Sequence, residues 1–317
     1  MSSDKAAAGS VLRIERSSIH DGQGLRTVLF LKGCPLNCSW CSTPESKQPL
    51  PERGYDPEQC TTCLKCIDSC PEGALRLSEQ HSKVLINPAK CKRCFKCLEV
   101  CPSGAVKKYG YTLSMQEVIE EISKDEIFYF HSGGGITLSG GEPLAQADFA
   151  AEVLKESKML GIHTAMESSM YGSFEQLDKI LPWLDILFAD IKHMDSQKHE
   201  KWTGEGNSQI LDNLRKTDQS RHPLSIIVRI PLIPGFNDSD QNLQETVDFC
   251  SELSKLKAIE LLPYHRLGID TYRILGRSCP CRSIEPQNVE QLLERAEFMK
   301  RLNSSITINT GSGFTAG

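Results

Sequence analysis

Gly33-Cys34-Pro35-Leu36-Asn37-Cys38-Ser39-Trp40-Cys41 carries three cysteines spaced C-x3-C-x2-C. A cubane iron–sulfur cluster is normally held by four thiolates. Three thiolates from one short loop leave one iron open, and an open metal position is where chemistry happens. A structural zinc site fits less well, because it needs a fourth ligand and rarely spaces its cysteines by three residues.

Eight further cysteines lie between Cys60 and Cys101 in two copies of one pattern. The first is Cys60-x2-Cys63-x2-Cys66-x3-Cys70-Pro71, the second Cys91-x2-Cys94-x2-Cys97-x3-Cys101-Pro102. This is the run of bacterial two-cluster ferredoxins, in which the fourth cysteine of each copy serves the other copy's cluster. One cubane is therefore assigned Cys60, Cys63, Cys66 and Cys101, and the other Cys91, Cys94, Cys97 and Cys70. The repeat continues past the ligands, since Pro71-Glu72-Gly73-Ala74-Leu75 mirrors Pro102-Ser103-Gly104-Ala105-Val106. With the first trio, the expectation is three [4Fe-4S] clusters. Cys250 falls on an apolar helical pattern and reads as a small core residue. Cys279-Pro280-Cys281 has no ligand partner nearby in sequence.

Composition bounds the class. A chain of 317 residues, 39% hydrophobic, can bury a full core as one large domain or a domain plus an insert. A net charge of −5 gives no support for nucleic-acid binding. No run approaches the ~18 apolar residues of a membrane helix. Residues 1–10 lack the apolar core of a signal peptide and read as a mobile tail. Fourteen cysteines without an export signal point to metal ligation in a reducing compartment, hence to the cytoplasm.

Short β-branched or apolar runs at 27–31, 136–139, 163–167, 186–190, 226–230 and 259–262 read as strands of a parallel sheet covered on both faces. Amphipathic stretches at 114–123, 148–160, 174–181, 240–256 and 286–302 read as helices, the first opening on a Ser114/Glu117 capping box. Six β/α units predict an α/β fold, a partial, open (β/α)6 TIM-like barrel. The ferredoxin-like segment, residues 52–109, interrupts it after the first strand, leaving 1–51 and 110–317 to the barrel. In parallel barrels chemistry gathers at the carboxyl ends of the strands. There the sequence places the three cysteines, then Ser139-Gly140-Gly141-Glu142-Pro143, Glu167-Ser168, Asp190-Ile191-Lys192, Arg229, and Leu262-Pro263-Tyr264-His265. Each alone has an ordinary structural reading; their joint placement on one rim does not.

Taken together these motifs resemble the glycyl-radical-enzyme activating enzymes, a family of radical S-adenosylmethionine (SAM) enzymes, in the subgroup with a ferredoxin-like insert. The resemblance rests on Asp21-Gly22, Arg26, Cys34/Cys38/Trp40/Cys41, residues 140–143, Asp190-x-Lys192, Arg229 with Pro234-Gly235, and residues 261–265. Two departures stand out. Gln23 occupies the place of a usual proline, and Glu167-Ser168 replaces an Asp-Thr pair that lies beside a monovalent cation in the pyruvate formate-lyase activator. The resemblance implies that Cys34, Cys38 and Cys41 hold the reactive cluster, with Lys192 essential beside it. Trp40, Cys41 and Ser42 would contact the adenine side of SAM and His265 its adenosine. Gly140, Gly141 and Glu142 would receive the methionine amino group, while Lys192, next to Ile191, and Arg229 would neutralise the carboxylate. Glu167 and Asp190 are the candidates for a monovalent cation, with Asp190 also in the SAM site and near the incoming glycine loop; Asp21 and Arg229 are the candidates for gripping that C-terminal glycine loop of the partner. The implied reaction is reductive cleavage of SAM to methionine and a 5′-deoxyadenosyl radical, which takes hydrogen from a glycine Cα of a partner glycyl radical enzyme. Flavodoxin or ferredoxin would supply the electron, and the activator would act as a monomer, with neither nucleic acid nor membrane involved. The rivals are a radical SAM enzyme acting on a small molecule or another peptide, and an iron–sulfur electron carrier. The rim motifs weigh against the carrier, which needs none of them.

Overall fold

The computed structural model describes residues 8–78 and 83–311. Its strands in chain order are β1 (Ala8–Ser18), β2 (Arg26–Leu31), β3 (Glu52–Tyr55), β4 (Leu75–Leu77), β5 (Val84–Ile86), β6 (Val106–Tyr109), β7 (Tyr111–Ser114), β8 (Gly135–Gly140), β9 (His163–Ser168), β10 (Ile186–Asp190), β11 (Ser225–Leu232), β12 (Leu256–Pro263) and β13 (Ile308–Thr310). Nine of them form one sheet, in the order β13-β12-β11-β10-β9-β8-β2-β1-β7. From β2 to β13 all neighbours are parallel, and β1 and β7 extend the sheet antiparallel. The chain is thus a partial (β/α) barrel interrupted by a ferredoxin-like insert.

The two faces of the parallel strands differ: Leu29, Leu31, Ile136, Leu138, Met166, Leu187, Val228, Ile230 and Leu261 share the face sealed in the main core, while Val28, Thr137, Glu167, Phe188, Arg229 and Glu260 lie on the other. Helices in the crossovers cover the outside. Ala147–Met159, Phe174–Ile180 and Asp240–Ser251 each turn an apolar stripe onto the sheet, and Val289–Leu302 closes it. Ser114, Ser173 and Asn288 each make a complete capping box at a helix start. The helix expected over 240–256 ends at Ser251, and Leu256 already opens β12. The expected N-terminal tail falls mostly outside the described residues, but Ala8–Ser10 belong to β1, paired with Thr112–Ser114 of β7.

The insert leaves and returns through an antiparallel neck, β3 against β6, with Glu52 opposite Tyr109 and Tyr55 opposite Val106. One face of β3 meets the barrel. Glu52 pairs with the fully buried Lys32 at 3.6 Å and with Arg277. Gly54 lies where a Cβ would run into Ile274. Beside the neck, Asp56 binds Arg273 at 3.0 Å. The insert's own core is small: Cys66, Leu75, Val84, Cys97 and Val106.

Candidate active site

The cysteine trio leaves β2 through Gly33, whose φ of +92° favours glycine. The loop is tied on both sides. Cys34 N donates to Lys47 O at 3.0 Å, and Asn37 N and Ser39 N donate to Thr203 O at 2.6 Å and Trp202 O at 3.0 Å, at the end of helix Ser196–Thr203. Lys47 Nζ braces it from below, reaching Asn37 Oδ1 at 2.7 Å and Cys38 O at 3.2 Å. Without metal, burial pushes the Cys34 thiol up to about 12 and Cys38 to about 11, and raises Cys41. Iron ligation must displace those protons, which couples cluster assembly to proton release.

Gly140 and Gly141 have a structural cause that the sequence did not reveal. The end of β8 lies so close to β2 that a Cβ on Gly140 would sit 2.6 Å from Leu31 O, and one on Gly141 2.3 Å from Gly33 O. Close packing of two backbones requires the glycines, and it brings the Gly-Gly edge to the cysteine loop.

Glu142, expected at the methionine amine, has partners that the sequence did not reveal. Its carboxylate is fully buried and accepts from Ser168 Oγ at 2.7 Å, Ser169 N at 2.8 Å, Ser169 Oγ and Leu144 N at 3.1 Å. Burial pushes this carboxyl up, and those donors pull it back. With both oxygens engaged, it clamps the β8 loop to the end of β9. Ser168 and Ser169 lie 26 and 27 positions away in sequence.

Lys192 and Asp190, at the end of β10, form an ion pair at 2.6 Å. Burial alone would lower Lys192, but Asp190 together with Cys38 and Cys34 outweighs it and holds the ammonium above the ordinary lysine range. A cation therefore sits beside two of the three cysteines. Ile191 is buried in the main core, its N–H donating to Arg229 O.

Arg229 crosses the barrel interior. Nε donates to Glu260 Oε2 at 2.8 Å, a second arm binds Glu167, and Nη2 reaches His20 O at 3.3 Å, with the guanidinium 3.8 Å over the Phe188 ring. Glu167 also accepts from Ser139 Oγ at 2.6 Å. Burial raises the Glu167 carboxyl against the pull of Arg229, and Asp21 and Asp190 add to the rise. Glu167 and Asp190, the candidates for a cation, are paired with Arg229 and Lys192. Arg229, a candidate for SAM and the peptide loop, is only 6% exposed and bonded on three sides. Asp21 lies in the turn between β1 and β2, accepting from Ser18 Oγ, while its backbone carbonyl accepts from Thr137 Oγ1 at 2.8 Å. Arg26, buried beneath the turn, binds Thr137 Oγ1 at 2.6 Å, and burial lowers its pKa to about 10.

An aromatic wall that sequence reading missed stands beside the cysteine loop. Phe236 packs at 4.9 Å from Trp40, 5.0 Å from Trp202 and 5.1 Å from His193. Only Trp40 was singled out, because the others are 153 or more residues from it and their own neighbourhoods carry no periodic signal. Glu260 did carry one: a carboxylate inside the apolar run Ala258-Ile259-Glu260-Leu261. Ser42 and His265 are exposed on the rim, and Gly268 lets the loop after β12 close to within van der Waals contact of Cys41 O and Ser42 O. Cys281 is buried with Ile233, Phe236 and Tyr264, and Cys250 lies in the main core.

In the insert, two hollows separate the cysteines into two sets. One is walled by Cys60, Cys63, Cys66 and Cys101 with Tyr55 and Val106; the other by Cys91, Cys94, Cys97 and Cys70 with Arg53 and Phe95. The two copies share an uncommon backbone. Thr62 and Leu64 have φ of +54° and +61°, and their counterparts Arg93 and Phe95 +55° and +60°. Such left-handed kinks turn N–H groups toward the hollow, as at Thr62 N, 3.4 Å from Cys60 Sγ. Among the described residues no three Cys, His, Asp or Glu side chains converge on a single ion. A cubane binds each thiolate through a different iron and does not ask them to converge.

Family models match three stretches of the chain. The radical SAM superfamily matches residues 92–250, a 4Fe-4S dicluster domain 53–102, and a 4Fe-4S single-cluster domain 20–77. The chain is 42% identical to the isethionate sulfite-lyase activating enzyme of Oleidesulfovibrio alaskensis, covering 87% of this chain and 90% of that one. It is 41% identical to the (2S)-3-sulfopropanediol sulfolyase activating enzyme of Bilophila wadsworthia, covering 95% and 97%. It is 40% identical to the trans-4-hydroxy-L-proline dehydratase activating enzyme of Clostridioides difficile, covering 96% and 98%. A solved radical SAM methyltransferase from Sphaerobacter thermophilus shares the fold, with TM-score 0.53 over 95% of this chain and 76% of that one at 12% identity. The chain belongs to the radical SAM enzymes that activate glycyl radical enzymes. No helix among the described residues is long and apolar enough to cross a membrane.

Proposed function

We propose that this activating enzyme uses three [4Fe-4S] clusters, with the insert passing electrons from a flavodoxin or ferredoxin to the cluster at the barrel mouth. The observation that carries the proposal is the sorting of eight insert cysteines into two separate four-cysteine hollows, beside a barrel-mouth trio that leaves one iron open. Cys34, Cys38 and Cys41 hold the mouth cluster; Cys60, Cys63, Cys66 and Cys101 hold the second; Cys91, Cys94, Cys97 and Cys70 hold the third. When bound, the mouth cluster supplies the electron that cleaves SAM to methionine and the 5′-deoxyadenosyl radical, which removes hydrogen from a glycine Cα of the partner.

The protein's own groups position the reactants. Lys192 faces the methionine carboxylate, its charge secured by Asp190. The backbone edge of Gly140 and Gly141 accepts from the methionine amine, and Glu142 fixes that edge from behind. Trp40, backed by Phe236 and Trp202, lies against the adenine side, with Ser42 and His265 on the rim. Asp21 stands in the barrel interior near Glu167 and Arg229, where a peptide loop reaching toward SAM would meet it. The two domains of this reading are 52–109 for the insert and 1–51 with 110–317 for the barrel, and the chain works as a cytoplasmic monomer.

Iron content tests the assignment. Anaerobic reconstitution should give about 12 iron atoms per chain, and about 8 after Cys34→Ala/Cys38→Ala/Cys41→Ala, with SAM cleavage abolished. Undiminished iron in that variant sinks the ligand set. For the electron path, Cys63→Ala/Cys94→Ala should slow cleavage driven by flavodoxin while dithionite partly restores it. Equal slowing with both reductants assigns the insert a structural role instead.

A further inference from the structure

The two halves of the insert share a backbone but not a charge. From Asp56 to Glu72, four carboxylates (Asp56, Glu58, Asp68, Glu72) face one lysine, Lys65, a net of −3. The equivalent stretch from Asn87 to Ser103 has Lys90, Lys92, Arg93 and Lys96 against Glu99, a net of +3. The exchanges fall around the ligands themselves. Gln59, Thr61 and Thr62 flank Cys60 in the first copy, and Lys90, Lys92 and Arg93 flank Cys91 in the second. Thr62 and Arg93 occupy the same left-handed kink, so the backbone is matched and only the side chain differs.

All four cations are exposed, and so is the ligand Cys94 between them. Lys92 leans on Glu72 at 3.1 Å yet stays 74% exposed, while Lys92 and Arg93 also line the hollow of the third cluster. On the first copy Asp56 and Glu58 are turned to Arg273 of the barrel. A basic face therefore covers one redox centre and not its twin. The chain as a whole carries −5. An acidic macromolecule meets a net negative chain and is attracted to this basic face, which orients encounter more than it adds affinity.

We propose that the face formed by Lys90, Lys92, Arg93 and Lys96 docks an acidic one-electron carrier protein, so that the cluster of Cys91, Cys94, Cys97 and Cys70 receives the electron first. The proposal rests on the electron-passing role given to the insert above. Any acidic partner satisfies the charge; a redox partner is favoured because the cations ring a cluster whose ligand Cys94 reaches the surface.

The test compares Lys90→Glu/Lys96→Glu, outside the lining of the hollow, with the mirror variant Gln59→Glu/Lys65→Glu at the equivalent positions, both checked for full iron content. With an acidic flavodoxin as donor, the first should raise the KM for flavodoxin in SAM cleavage at least tenfold, flatten its dependence on ionic strength and leave the dithionite-driven rate unchanged. The mirror variant should change the flavodoxin KM by less than twofold. Equal KM changes in both variants, or no change in the first, overturn the proposal. So does an unchanged flavodoxin KM with weakened binding of the glycyl radical enzyme, which makes the patch a surface for that partner. Calorimetry with oxidised flavodoxin separates the two layers of the argument. Binding lost on charge reversal, with donor-driven cleavage untouched by Cys63→Ala/Cys94→Ala, refutes electron passage through the insert and keeps only the docking surface.

Discussion

At the barrel mouth Lys192 is 7% exposed and paired with Asp190, Arg229 is braced by two glutamates, and Glu142 is sealed under two serines. In the insert Cys63 and Cys94 are exposed, and among the described residues its hydrophobic cluster holds five buried side chains, two of them cysteines. Both regions hold sulfur, yet the barrel positions its ligands with a scaffold that stands without them, and the insert is built around what it binds. A site that orients a small charged molecule needs charges fixed in advance by a packed core. A module that only carries electrons can be small, provided its clusters tie it together.

The largest effect expected from this contrast is on the insert. Iron chelation, or Cys63→Ala/Cys94→Ala, should abolish amide-exchange protection across 52–109 while the barrel strands keep theirs. Persistent protection in the iron-free insert would erase the distinction. Next comes Glu142→Ala, which leaves Ser168 and Ser169 without their buried acceptor. It should destabilise the barrel by about 2–4 kcal/mol in chemical denaturation, with Glu142→Gln costing less. If Glu142 instead bound SAM directly, affinity would fall and stability would not. Lys192→Gln should then weaken SAM binding roughly 10- to 100-fold in anaerobic calorimetry with iron content unchanged. Smallest is Phe236→Leu, which thins the wall behind Trp40 and should lower SAM affinity about threefold; a larger loss would move Phe236 from support into contact.

Much of this was legible because single-segment patterns carry it. The six central strands are short runs with one face sealed in the main core, and the duplicated cysteine spacing is local. Ala8–Ser10 read as tail because β1, an antiparallel, half-exposed strand between β2 and the edge strand β7, lacks the continuous apolar run of a parallel one. The Arg229 network was invisible for a different reason. Register alone sets Arg229 opposite Asp190 and Glu260 on the neighbouring strands, and only the folded sheet supplies that register. Likewise Gly140 and Gly141 read as a ligand cradle, when their first duty is to let β8 and β2 approach. The partners of Glu142, Glu167 and Arg229 escaped the sequence for one cause: they come from other strands and loops, and charges at strand ends look available until those are known.

The account's central claim is that the radical generated at this mouth ends on a partner's glycine. With SAM, a reductant and the cognate glycyl radical enzyme deuterated at that glycine Cα, the 5′-deoxyadenosine formed should carry deuterium. A glycyl-radical doublet should appear on the partner by electron paramagnetic resonance in step with it. Deoxyadenosine free of deuterium, with no radical on the partner, would contradict the claim.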